Sequence, residues 1–141
     1  MTTQEIITQL NLMTVDNSED YEKFDRINTL VDQLRQNNDG HLACDALIDL
    51  LERHPSVEFG TPGEPIHTIE SYDGQYEDLL SKSLDRRPTY MTIWMLNRII
   101  NASPDNKDDL IEKMKTYINH PLADNEARTA AQGFYDFQTK H

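Results

Sequence analysis

The sequence predicts an all-α fold. Three observations carry that prediction. Apolar residues recur at spacings of three and four along most of the chain, no segment keeps the alternation of a strand, and capping or turn residues fill the gaps between periodic segments. The helices are short and tightly connected, which favours antiparallel pairs. Pairs in succession suggest an α-solenoid, with a compact orthogonal bundle as the alternative. Seven or eight helices are expected in one domain spanning residues 1–141.

The first helix is expected to start at Thr2. Thr2 and Glu5 have capping-box spacing, and Ile6, Ile7, Leu10 and Met13 then form an apolar stripe. Residues 15–18 break it. Ser18 or Asn17 is placed to cap a second helix, whose core face is Tyr21, Phe24, Ile27, Leu30, Val31 and Leu34. Turn residues at 37–40 end that helix.

A third helix carries Leu42, Ala43, Ala46, Leu47, Leu50 and Leu51 inward until Pro55 stops it. Residues 56–65 hold too many glycines and prolines for regular helix and form a structured connection. A short helix from Pro65 to about Tyr72 presents Ile66 and Ile69. After the Asp73-Gly74 turn, a fifth helix over about Gln75–Leu84 buries Tyr76, Leu79, Leu80 and Leu84.

The most apolar segment is Pro88 to Asn101. Tyr90, Ile93, Leu96, Asn97 and Ile100 fall on one face, and Met91, Trp94, Met95 and Ile99 cover much of the rest. A helix apolar nearly all round is enclosed by neighbours, so this one is expected to be central. Ser103-Pro104 reads as an N-cap with proline at the first helical position, opening a helix with Leu110, Ile111, Met114, Tyr117 and Ile118 inward. His120-Pro121 closes it. The last helix aligns Ala127, Ala130, Ala131, Phe134 and Phe137 along one side.

Composition narrows the function. The net charge is −12 over 141 residues, with 27% charged and 37% hydrophobic residues. Residues 1–85 hold 18 acidic and 5 basic side chains, whereas residues 86–141 hold 7 and 8. Direct nucleic-acid binding needs the opposite sign. An acidic surface serves solubility, or it attracts basic proteins and speeds their encounter. No apolar run approaches the roughly 20 residues of a membrane span. The N-terminal residues lack a basic segment followed by an apolar one, so no secretion signal is expected, and the single cysteine, Cys44, excludes an intrachain disulfide. These features together predict a cytoplasmic protein.

Catalytic motifs are missing. The histidines (41, 54, 67, 120 and 141) show no helical zinc-site spacing, Cys44 has no second cysteine, and no metal site or cofactor is expected. Three histidines sit at helix borders, where capping is the simpler role. Paired carboxylates at 19/20, 77/78 and 108/109 belong to solvated helix faces or first turns. Residues 60–63 read Gly-Thr-Pro-Gly, without the lysine or glycine spacing of a phosphate loop, and are expected to form a structural turn. Cys44 and His41 lie three apart on one expected helix but lack an orienting third group. A hydrolase would need a pocket in which such groups converge.

One cluster remains. Glu58, Phe59, Glu64, Glu70, Tyr72, Asp73 and Glu77 lie within a short span. Aromatic rings can anchor an interface while carboxylates select a basic partner. Tyr76 is expected to pack inward, and Tyr72 and Phe59 suit either role. The candidate partner-binding residues are therefore Glu58, Glu70, Tyr72, Asp73 and Glu77, with Asp45, Asp49 and Glu52 placed to extend the surface.

Residues 46–55 (Ala-Leu-Ile-Asp-Leu-Leu-Glu-Arg-His-Pro), 59–65, 76–80 and 87–98 give the chain a further likeness, joined by the Asp/Arg/Ala pattern of residues 124–131. From about Leu42 onward the chain resembles small bacterial immunity proteins with HEAT-like helical repeats. That resemblance implies a non-enzymatic protein that neutralises a cognate toxin, as in contact-dependent inhibition or related polymorphic toxin systems. Nuclease toxins with basic clefts would suit the acidic chain. A helical-repeat adaptor for another protein is the alternative.

Overall fold

Local sequence starts the first helix as expected. The Thr2 hydroxyl accepts the Glu5 amide at 3.1 Å, and the Glu5 carboxylate accepts the Thr2 amide at 3.0 Å. Those bonds hold the Glu5 carboxyl below its ordinary value. The computed structural model describes residues 1–60 and 63–140; Thr61, Pro62 and His141, which belong to the turn and histidine expectations above, lie outside the described residues.

The described residues form eight α-helices and one 3-10 helix, with no strand. The fold is all-α. The helices are α1 (Thr3–Leu12), α2 (Tyr21–Arg35), α3 (Cys44–Arg53), α4 (Glu64–Glu70), α5 (Glu77–Arg86), α6 (Tyr90–Asn101), α7 (Lys107–Tyr117) and α8 (Asn125–Thr139); the 3-10 helix, Gly40–Ala43, leads into α3. The chain divides into two compact units, Met1–Leu79 and Leu80–His141, with the boundary inside α5.

In the first unit α1 packs on α2, α3 and the 3-10 helix, and α4 packs on α2 and α3. Ile6, Leu10, Ile27, Leu30, Leu34, Leu47, Leu50 and Ile66 fill its core. Two long-range polar contacts close one end of α1. The Arg53 guanidinium donates to the carbonyls of Leu10 and Met13 at 3.0 and 2.9 Å, satisfying acceptors that a helix end leaves open. His54 accepts the Val15 amide at Nε2 (3.0 Å) and faces the Leu50 carbonyl with Nδ1 (2.8 Å). Those partners define a neutral ring protonated at Nδ1.

The start of α2 differs from expectation. Neither Asn17 nor Ser18 caps it; the N-cap position is Asp20. Asn17 instead accepts the Glu19 amide, and the Ser18 hydroxyl accepts the Glu58 amide at 2.9 Å, tying this turn to the segment after α3. Tyr21, expected in the core, is 68% exposed because it occupies the first helical position, ahead of the packed face. Leu42, also expected inside, is exposed: the 3-10 helix rotates its side chains relative to α3.

In the second unit α6 packs against both α7 and α8, which pack on each other. Every residue of α6 except Asn101 is buried or half-buried, as the all-round apolar pattern requires. Thr89 and Thr92 form a buried capping box at its start. Asp85 near the end of α5 accepts the Tyr117 hydroxyl at 2.7 Å, and Lys113 donates to Ser81 at 2.9 Å, fastening α7 to α5. Burial and the Asp85 carboxylate push the Tyr117 phenol well above its ordinary range.

Ser103 does not open α7. Its φ is 53°, its amide donates to the Ile100 carbonyl, and it closes α6 in the left-handed conformation. The N-cap of α7 is Asn106. On α8, Ala127 and Ala131 are buried as expected, but Phe137, near the helix end, is 54% exposed.

Candidate functional site

The uneven charge follows the structural division. Met1–Leu79 carries 17 acidic and 4 basic side chains, and Leu80–His141 carries 8 and 9. All of the excess negative charge therefore belongs to the first unit, and the candidate partner-binding residues lie within it.

α4 orders those candidates. Glu58 and Phe59 lie beside its N-terminal end, where both line a cleft with Glu64 and Pro65. Glu70 is its last residue, and Tyr72, Asp73 and Glu77 follow. A helix of 7 residues is short, about 10 Å long. Both groups thus fit within a single protein interface, which spans roughly 800 Å² per partner.

Their side chains have different employments. Glu58 and Asp73 are exposed, and Glu70 is half-buried. Glu77 is committed locally: its two carboxylate oxygens accept the amides of Gly74 and Tyr76 at 3.0 and 3.1 Å, capping the start of α5. Tyr72 is half-buried, with its ring 6.5 Å from that of His41. A Cβ at Gly40 would stand 2.3 Å from the Tyr72 hydroxyl, so this glycine admits the phenol. Burial raises the Tyr72 phenol, partly offset by Arg35. Tyr76, as expected, packs inward. Phe59 does too, at 6% exposure, with its ring edge to face against Phe24.

Phe24, expected in the α2 core, is half-buried and forms one side of the cleft together with Ile27 and Asn28. The cleft has a volume of about 350 Å³. Phe24, Ile27, Phe59 and Pro65 make its apolar surface, and Glu58 and Glu64 bring carboxylates to it. Glu64 is already paired with Arg35 at 3.0 Å. Glu58 has no ion-pair partner among the described residues. Gly63 shapes the rim: a Cβ there would fall 1.6 Å from the Phe59 carbonyl oxygen.

Cys44, His54 and His120 are engaged within the fold. Cys44 is fully buried, and burial, with the nearby Glu77 carboxylate adding to it, pushes its thiol up to about 12. Both ring nitrogens of His54 are engaged, and so are those of His120, which donates from Nε2 to the Asp85 carbonyl and accepts the Leu122 amide at Nδ1. No group of three or more His, Cys, Asp or Glu among the described residues is arranged to hold a metal ion. No helix among them is long and apolar enough to cross a membrane. A second cleft, of about 700 Å³, lies in the second unit between the ends of α6 and α8 and the first turns of α7, with Ile111 and Phe137 among mixed charges. Lys107, Asp108 and Glu112 bring the charges to its lining.

Compared with protein-family models, curated proteins and solved structures, the chain matches none.

Proposed function

We propose that this chain is an immunity protein that binds and neutralises a cognate toxin domain in the cytoplasm, with a basic nuclease as the best-fitting toxin class. The single observation that carries the proposal is the confinement of the net negative charge to the first compact unit. A surface so biased attracts a cationic partner, and a nuclease cleft built to hold phosphate is cationic. The resemblance of residues 42–141 to HEAT-like immunity proteins supports the same reading. Function is by docking, without bond-breaking: Glu58, Glu70 and Asp73 pair with lysine or arginine of the toxin, and Tyr72 contributes apolar area beside them.

Co-expression with a toxin domain encoded next to this gene tests the proposal. Growth should be rescued, and the two proteins should co-purify. Charge reversal at Glu58, Glu70 and Asp73 together should abolish both without unfolding the chain. A helical-repeat adaptor would form a complex with some partner but rescue nothing. Rescue indifferent to the triple reversal would overturn the assigned surface.

A further inference from the structure

We infer that the cleft between α2 and the start of α4 is a receptor for one arginine side chain of the basic partner. This deepens the docking reading above and rests on it. Three features of the cleft select that occupant. Its apolar surface is aromatic on one side, where Phe24 stands edge to face with Phe59 at 5.8 Å. That contact leaves Phe24 half-buried, with part of its ring open to a visitor. An exposed carboxylate, Glu58, stands beside it without an ion-pair partner among the described residues. Arginine matches this combination better than lysine. Its planar guanidinium stacks on a ring while its edge donates a fork of N–H bonds to a carboxylate, and it sheds water more readily than an ammonium.

The surroundings agree with a cationic guest. Arg35 neutralises only Glu64, leaving Glu58 for the visitor. On α2 the exposed Tyr21 shares a helix face with Phe24 and Asn28. An aromatic anchor beside the Glu58 carboxylate, on a unit of net negative charge, gives an interface both a hot spot and an encounter field. The volume of about 350 Å³ accommodates one long side chain and no folded element.

The test uses the intact chain and no partner. Amide chemical shifts would be followed while a tri-arginine peptide is added, with tri-lysine and tri-citrulline peptides as comparisons. Citrulline keeps the shape of arginine and removes its charge. Tri-arginine should perturb Phe24, Asn28, Glu58 and Phe59 together, more strongly than tri-lysine, and tri-citrulline should leave them unmoved. Glu58→Gln should weaken the arginine effect roughly tenfold, the size expected for losing a charge-assisted fork. Asp73→Asn should leave it intact. Glu58 is exposed, so its variant keeps the fold. Shifts spread evenly over acidic residues, equal responses to tri-citrulline, or indifference to Glu58→Gln would each overturn the inference. Those results leave the immunity proposal standing. Failure of growth rescue, with peptide binding intact, would overturn the immunity proposal alone.

Discussion

Phe24 of α2 and Phe59, from the segment after α3, meet edge to face with ring centroids 5.8 Å apart. The two rings divide their work. Phe59 is buried and also meets the His54 ring at 6.3 Å, so it holds the segment against the first unit's core. Phe24 is half-buried and gives the cleft its wall. Phe59→Ala should cost about 3–5 kcal/mol, the range for a buried aromatic side chain removed without refilling. Phe24→Ala should cost clearly less. Urea unfolding of both variants checks the order, and equal costs would show that Phe24 is core rather than wall.

Glu77 behaves as a cap, and its variants should say so. Removing a carboxylate that accepts two backbone amides costs roughly 0.5–2 kcal/mol. Glu77→Ala should show that loss in thermal unfolding with no partner present. Asp73→Ala should not, since Asp73 is exposed at the turn. A neutral result at Glu77 would free its carboxylate for the partner after all.

Ser103 offers a test with a sign. As an N-cap it would be weakened by glycine. In the left-handed conformation that it adopts, glycine removes a steric cost of about 1–2 kcal/mol. Ser103→Gly should therefore raise the melting temperature, and Ser103→Val should lower it.

Cys44 links stability to alkaline pH. Its thiol is held at about 12 in the folded chain against an ordinary 9.0. A folded-state value above the unfolded one means that the stabilising contribution is complete below the unfolded value. It then declines as the pH rises towards the folded one. Between about pH 9 and 12 the native chain should lose more stability than Cys44→Ala does, measured by urea unfolding at each pH across that window. A thiol-specific reagent should label the native chain only as fast as it opens.

Glycine at 63 is a steric requirement. Alanine would place its Cβ against the Phe59 carbonyl, within bonding distance of that backbone oxygen. Gly63→Ala should destabilise the first unit and change the amide shifts of the cleft residues even before any ligand is added. Unchanged shifts would mean that the rim relaxes freely.

Local chemistry was legible without coordinates. The capping box at Thr2, the apolar circumference of α6 and the two buried alanines of α8 follow from residues within a turn or two of one another, because capping and helical periodicity are short-range. The bond from the Gly74 amide to Glu77 also joins residues three apart, so it is as local as the Thr2 cap.

By itself the sequence determined an all-α chain, the helices to within a few residues at their ends, and a charge bias concentrated toward the N-terminal side. Tertiary structure alone decided that Phe24 faces Phe59 across a cleft, that Tyr72 settles on Gly40, and that Ser18 holds the Glu58 amide. Periodicity states which face of a helix is apolar. It cannot state which distant segment covers that face, or leaves part of it open, because that depends on how whole elements pack.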